Sequence, residues 1–581
     1  MKRLTGKIMA SKFWWLVLLL VLFVVNYLGA AFHGRFDLTK EKRYTLSRAT
    51  RDLMAQLDET VQVDVFLKGD FPAGFKKLAN STDEFLQLLK NQNGSKIQYR
   101  FIAPTEEMPN GKPWGDSLVN LGAVPINLTI QKKAGESSNI IFPVALLKYK
   151  GREMLVNLYP GASNNISQNE INSAEALLEY QFAKALDKLT TERKPAIAYA
   201  AGNGEPMDYR VMDLERTLTK DYRFGPIDIN TNPIPAQADI LMIVKPTKAF
   251  SEEVKLKLDQ FIMRGGKLLC FIDNLIAEQD SLQGKAKGET IAYDRDLNLT
   301  DQFFRYGLRI NTDLVMDLQC DLIPIVVGGT MENPQMDYLH WNYFPFLVSS
   351  DNNVSRNIGY VAGRFVNSVD TIDVKGVRKT PLLVTSPNSR IISTPALISL
   401  NENKNVPEDI KFKRNAIPAG LLLEGKFTSL YRNRLSKAQQ DSLNATGQQF
   451  LQESVENKMI VVADGDIVLN EVLSQNSLAP GPIPMGWNKY TYTEYLKESP
   501  YAKAFLPVAN RDFLLNCVEY LVNNPAISET RNKDIVLRLL DSQKVAAQKS
   551  TWQFVNIALP VLLVILFGWI YQQIRKRKYS A

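Results

Sequence analysis

The sequence predicts an α/β protein, with two folded segments of alternating strands and helices held between an apolar helix near each end. Three observations lead there. Uncharged, mostly apolar runs occupy residues 13–32 and 552–571. Between them, short stretches with period-two apolar alternation trade places with stretches of helical periodicity. The chain of 581 residues also exceeds what one hydrophobic core holds.

The first folded segment spans 33–190. ETVQVDVFL (59–67) alternates as a strand. FKKLANSTDEFLQLLK (75–90) places Phe75, Leu78, Phe85, Leu88 and Leu89 at helical spacing, and KIQYRFIAP (96–104) returns as a strand. A short helix (DSLVNLG, 116–122), a strand (PINLTI, 125–130) and a hairpin (IIFPVALLKY and EMLVNLY around Lys150-Gly151) follow. The helix INSAEALLEYQFAKALDKL (171–189) closes the segment. The order β-α-β-α-β-β-α matches a thioredoxin-like layout. It lacks the Cys-x-x-Cys that thiol–disulfide chemistry requires, so it reads as a scaffold.

The second segment, 194–525, opens with the buried-type strand PAIAYA (195–200) and a helix over 207–222. ADILMIVKP (238–246), a helix over 251–266 and KLLCFIDN (267–274) follow. Strands linked by helices predict a doubly wound parallel sheet, with a crevice at the strands' carboxyl ends. TPLLVTS, AGLLLEG and MIVVADGD add later strands. Residues 275–380, rich in Asn, Asp and Gly, read as decoration. A helix over 510–522 precedes a polar helical stem (526–551).

Charge places the ends. The net charge is +8. Lys2, Arg3, Lys7 and Lys12 stand in the first twelve residues, and Arg575, Lys576, Arg577 and Lys578 in the last ten, with no acid in either stretch. These eight account for the whole excess, so the middle is neutral and a nucleic-acid partner is not indicated. Basic flanks beside apolar spans form a membrane pattern. Each span is long enough for a hydrocarbon core of ~30 Å, with Trp14, Trp15, Trp552, Trp569 and Tyr571 as interfacial anchors. The first span exceeds the ~7–15 apolar residues of a signal peptide and reads as retained. The basic tail (572–581) predicts a cytoplasmic C-terminus. Two spans then place the N-terminus (1–12) inside, with the large central part outside the cytoplasmic membrane.

The residues for common chemistry are scarce. Two histidines, His33 and His340, serve the whole chain, and neither has a Cys or His at ligand spacing. No phosphate-binding Gly-rich loop ending in Gly-Lys-Ser/Thr occurs. Gly202-Asn203-Gly204 begins like a dinucleotide loop but continues Glu205-Pro206-Met207, which reads as a strand-to-helix turn using glycine at positive φ. Asp464-Gly465-Asp466 follows a strand and could hold a cation or polar ligand, although a solvated turn is the simpler reading. Gly202, Asn203, Glu205, Asp273, Asp464 and Asp466 therefore outline a possible ligand crevice suited to a hydroxyl-rich molecule. Cys270, Cys320 and Cys517 read as buried free thiols. No catalytic residue, metal site or cofactor is expected.

At the membrane, Asn26, Gln553 and Asn556 are polar groups in apolar spans, and Pro560 continues the Gln553–Asn556 face. That face is expected to pack against Asn26 or a helix of a membrane partner. Arg35, Lys42, Arg43 and Tyr44 belong at headgroup level just beyond the first span.

RFDLTKEKRYTLS (35–47), VQVDVFLKGDFPAGFKKL (61–78), LLVTSPNSR (382–390), GLLLEGKFTSLYRNR (420–434), VVADGDIVLN (461–470) and NRDFLLNCVEYL (510–521), with RKRKY at the end, together resemble the GldG family. These are gliding-motility-associated ABC transporter auxiliary subunits of the Bacteroidota. The resemblance implies a non-catalytic, substrate-binding-type membrane subunit beside a multi-span permease and a cytoplasmic ATPase. It also implies a second domain like flavodoxin and class I glutamine amidotransferases, with carbohydrate as a possible ligand. The amidotransferase nucleophile elbow and its histidine are missing here, so that activity does not carry over. The alternatives are a carbohydrate- or envelope-binding module acting without a transporter, and an extracytoplasmic hydrolase or transferase.

Overall fold

A computed structural model describes residues 45–522 apart from short stretches, the longest being 160–167, 403–408, 474–480 and 498–507. It also describes Thr530, residues 542–579 and scattered positions between 19 and 27. The chain forms two compact units, Met1–Asp534 and Ile535–Ala581.

The first unit is mixed α/β and contains two main sheets. In the smaller one the strand order is Ile97–Phe101, Val61–Val65, Val144–Tyr149, Arg152–Asn157. The first pair is parallel and the others antiparallel. Val61, Val63 and Val65 point to the face covered by the helices Ala73–Gln92 and Gln168–Thr190, which contribute Phe75, Leu78, Leu86, Leu178, Phe182 and Leu186. The opposite face buries Phe66 and Leu146 against Trp114 and Leu118 of the short helix Trp114–Asn120. The stretch IIFPVALLKY, expected as one strand, is two. Pro143 has no N–H to give a ladder, and the chain pairs on either side of it with different partners, Ile126–Lys132 before and Val61–Val65 after.

The larger sheet has ten strands. Five adjacent ones are parallel, in the spatial order Arg223–Asp228, Ala196–Ala201, Ile240–Val244, Lys267–Phe271, Glu453–Val462. Alternation along each strand feeds two cores. Ile240, Met242 and Val244 meet Leu214 and Leu218 from the helix Met212–Thr219, and Phe513, Leu514 and Val518 from the helix Asn510–Val522. Leu241 and Ile243 meet Val254, Leu258 and Ile262 from the helix Glu252–Met263. Cys270 packs in the second core and Cys517 in the first, and all three cysteines are buried thiols outside any disulfide.

Two expectations change here. Arg223–Asp228 is a strand that the sequence concealed, because Gly225-Pro226 argues against one; an edge position tolerates the missing N–H. The region 275–380 is not mere decoration. Val377–Val384, Pro334–Ser349 and Cys320–Gly329 continue the sheet antiparallel beyond Pro418–Thr428.

The second unit holds the helix Ser542–Tyr579, which runs through Pro560 without a break. Its stretch Gln548–Arg577 is long and apolar enough to cross a membrane. Much of the expected stem (531–541) and most of the first apolar span lie outside the described residues, as do Arg35, Lys42, Arg43 and Tyr44.

Candidate functional site

The carboxyl ends of the parallel strands carry a cluster of paired charged side chains. The chain leaves Ile240–Val244 through Lys245, whose φ of +44° is unusual for a residue other than glycine. The turn sends the lysine along the sheet edge, and Gly465 makes this possible. A Cβ there would lie 2.6 Å from Lys245 Cβ, so only glycine admits the close approach. The Lys245 ammonium reaches Asp466 at 2.7 Å, Asp273 at 3.1 Å and Glu278 at 3.1 Å. One cation thereby joins groups following three neighbouring strands.

The network continues outward. Arg295 pairs with Glu278 at 3.2 Å, and Arg364 with Glu471 at 2.5 Å. Backbone amides of Arg364 and Asp466 donate to Asp464 at 2.7 and 2.8 Å, and the amide of Gly465 donates to Asp273. Asn488 donates to Asp321 at 2.6 Å.

Burial and neighbours set the protonation states. Burial pushes the Lys245 ammonium down, but Asp273, Asp466 and Glu278 outweigh it and hold its pKa above the usual lysine value. Lys245 is thus a fixed charge and not a base or an amine nucleophile. Burial also opposes ionisation of Asp466, yet Lys245 and Arg364 bring its pKa below the ordinary range. Asp464 is pushed well above that range by burial and by the charges of Asp273 and Asp466.

The sequence-predicted residues thus fall into two groups. Asp273, Asp464 and Asp466 come together, with carboxylate oxygens within 4.8 Å of one another. Asp464 is fully buried, so its turn is a core element and not a solvated one. Three carboxylates at that spacing could coordinate a divalent cation, but the Lys245 ammonium already neutralises two of them. Addition of EDTA, calcium or magnesium is therefore expected to leave the melting temperature of the protein unchanged. A rise with either metal would assign the triad to a cation.

Gly202, Asn203 and Glu205 form a separate turn beside the loop after Lys245. The amides of Thr247 and Lys248 donate to Asn203 O at 2.9 and 2.8 Å, Asn203 Nδ2 donates to Ala249 O at 3.1 Å, and Asn203 N donates to Glu205 Oε2 at 2.8 Å. Gly202 and Gly204 take φ of +112° and +81°, as the turn reading requires. Burial pushes the Glu205 carboxyl up to about 7. Asn26 is helical, and Gln553, Asn556 and Pro560 lie on the exposed C-terminal helix.

Sequence reasoning missed Lys245, Arg364, Glu278 and Asp321. The only local signal was a lysine directly after five apolar strand residues, and its partner Asp466 comes 221 residues later. These side chains line the edge where the crevice was expected. A cavity of about 770 Å³ lies at the opposite, amino-terminal edge, lined by Ile234, Leu256, Phe261, Arg264, Leu443 and Phe450.

Comparison with known proteins decides the family. A family described as an ABC-type uncharacterized transport system matches residues 194–517, more than half of the chain. The chain belongs to this family. Membership in this ABC transport family implies association with ABC transporter components, and the C-terminal helix is consistent with a membrane protein. A domain of unknown function (DUF7088) matches residues 40–148. An uncharacterized protein of Borreliella burgdorferi is 22% identical over 418 residues, covering 69% of this chain and 75% of its own length. Among solved structures, the mmIFT52 N-terminal domain aligns at 12% identity and a TM-score of 0.30, over 57% of this chain and 98% of that one. An exo-β-1,4-mannosidase from Opitutaceae bacterium strain TAV5 aligns at 9% identity and a TM-score of 0.20, over 75% of this chain and 52% of that one.

The cysteines sit in packing positions, whereas His340 is exposed. Burial pushes the Cys270 thiol up, and His340 Nδ1 lies 2.8 Å from Cys320 O. Cys270→Ser is expected to cost about 1 kcal/mol, within the usual range for one substitution. Neither it nor His340→Ala should alter biological function at normal protein levels. Loss of function in either variant, with the protein still abundant, would point to an enzyme.

Proposed function

We propose that this chain is a non-catalytic auxiliary subunit of an ABC transport complex, of the substrate-binding type, anchored in the bacterial inner membrane beside a permease and a cytoplasmic ATPase. The observation that carries the reading is the family match over 194–517 in a chain that also holds a 30-residue apolar helix ending in basic residues. The resemblance to GldG proteins favours gliding motility or export as the process served. The second apolar run at 13–32 favours two spans, with both termini cytoplasmic and the folded unit periplasmic. The strand order of the parallel half, with chain-order numbers 2-1-3-4-5, favours a flavodoxin-like second domain. The order and directions of the smaller sheet favour a thioredoxin-like first one. A sheet edge lined by paired charges, with Lys245 held as an ammonium, favours a binding or coupling role over catalysis.

Co-purification from membranes tests this. The full chain is expected to recover a multi-span permease and an ATPase. Replacing residues 552–571 with a poly-leucine span should preserve insertion while weakening that recovery, because Gln553 and Asn556 are lost as hydrogen-bonding groups in lipid. A chain that purifies without transporter components and retains carbohydrate would instead support the independent envelope-binding module.

A further inference from the structure

The folded unit begins and ends, in sequence, at two helices that lie nearest the apolar runs: Arg48–Ala55 after the first and Asn510–Val522 before the second. Both are pinned to one element, the helix Gln168–Thr190. Ser47 caps Arg48–Ala55 through its hydroxyl, which accepts from Thr50 N at 3.1 Å. Glu179 holds that cap, because its Oε1 accepts from Ser47 N and from Thr50 Oγ1, both at 2.7 Å. Glu179 is 4% exposed and Thr50 is fully buried, so these bonds are shielded from competition by water.

The adjacent residue makes the second pin. The Tyr180 hydroxyl donates to Glu519 Oε2 at 2.7 Å, Lys184 Nζ lies 2.5 Å from Glu519 Oε1, and Lys188 Nζ lies 3.3 Å from the same oxygen. Glu519 belongs to Asn510–Val522, whose Phe513, Leu514, Cys517 and Val518 are locked into the larger sheet's core. Tyr180 also shares a small apolar cluster with Leu53 of the first helix, together with Leu177 and Ala183. One side chain therefore belongs to the packing of Arg48–Ala55 and to the charge cluster on Asn510–Val522.

We propose that the helix Gln168–Thr190 is a strut, with Glu179 and Tyr180 as its two contact points, that transmits displacement between the two ends of the folded unit. The idea rests on the proposed membrane role for its use, since the two helices it pins are the ones that lie nearest the apolar runs in sequence. A carboxylate held by two lysines and a tyrosine resists shear better than an apolar seam, because its hydrogen bonds have fixed partners and directions. Strain arriving at one pin is passed through this turn of the helix to the other and not absorbed by sliding.

Hydrogen exchange on the full chain in detergent tests this. Tyr180→Phe keeps the ring and removes one hydrogen bond to a charged group. The amides of Arg48–Ala55 are expected to exchange about tenfold faster in this variant, along with those of Asn510–Val522, while the strand Lys267–Phe271 is unchanged. Glu519→Gln should give the same pattern more strongly. If Tyr180→Phe or a folded Glu519→Gln speeds exchange in Asn510–Val522 and leaves Arg48–Ala55 at the native rate, the two pins are independent and the strut is refuted. Co-purification with the transporter is a separate measurement, so either idea can fail while the other stands.

Discussion

Replacing Glu519 with alanine is expected to remove about 3–5 kcal/mol of stability, the usual penalty for deleting one partner of a buried ion pair. The alanine removes the carboxylate shared by Lys184 and Lys188, which are 20% and 13% exposed, and leaves Lys188 with Asp221 alone. The acid limb of the stability curve provides an independent check. Burial opposes the Glu519 charge, but Lys184 and Lys188, with hydrogen bonds from Lys184 and Tyr180, hold its pKa at about 2 instead of 4.5. A carboxyl with a depressed folded-state pKa stabilises the protein above its unfolded value, and that contribution is lost as pH falls from 4.5 towards 2. Denaturant midpoints of the wild type and the variant should therefore differ widely at pH 7 and converge near pH 2. Equal midpoints at pH 7 would show that the cluster adds nothing.

Lys245→Ala is expected to be comparably damaging, again about 3–5 kcal/mol at neutral pH. Without the ammonium, Asp273, Asp464 and Asp466 remain within 4.8 Å of one another in a buried setting. The sign of the pH effect is opposite to that of Glu519. Asp273 already has a raised pKa, because burial outweighs the attraction of Lys245, and removing the lysine raises it further and lifts the depressed pKa of Asp466. The folded variant then binds protons that the unfolded chain releases, so its stability rises as pH is lowered. Thermal unfolding at pH 7 and pH 5 measures this, and the deficit relative to wild type should narrow at pH 5. A deficit that stays constant would mean that the lysine acts through packing of its aliphatic stem and not through charge.

Much of the architecture was legible in the chain. Val61, Val63 and Val65 announce a half-buried strand by alternation, and the five apolar residues of Ile240–Val244 announce a central parallel one. The apolar run that begins at Trp552 specifies a membrane-length helix by composition alone. The turn at Gly202–Glu205 followed from glycine chemistry. These features are local, since each depends on residues within a few positions of one another.

Tertiary structure decided what depends on distant partners. Pro143 splits a continuous-looking apolar run because the two halves find different neighbours, and Arg223–Asp228 is a strand only because Ala196–Ala201 lies beside it. Asp464 looked like a solvated turn residue, yet it is buried, and the lysine that neutralises its neighbours follows a strand more than two hundred residues earlier. Electrostatic pairing acts through space between groups that the chain separates, so no local pattern names the partner. Periodicity and composition determined the elements of this protein, and the through-space placement of a few charges determined how their ends are closed and tied together.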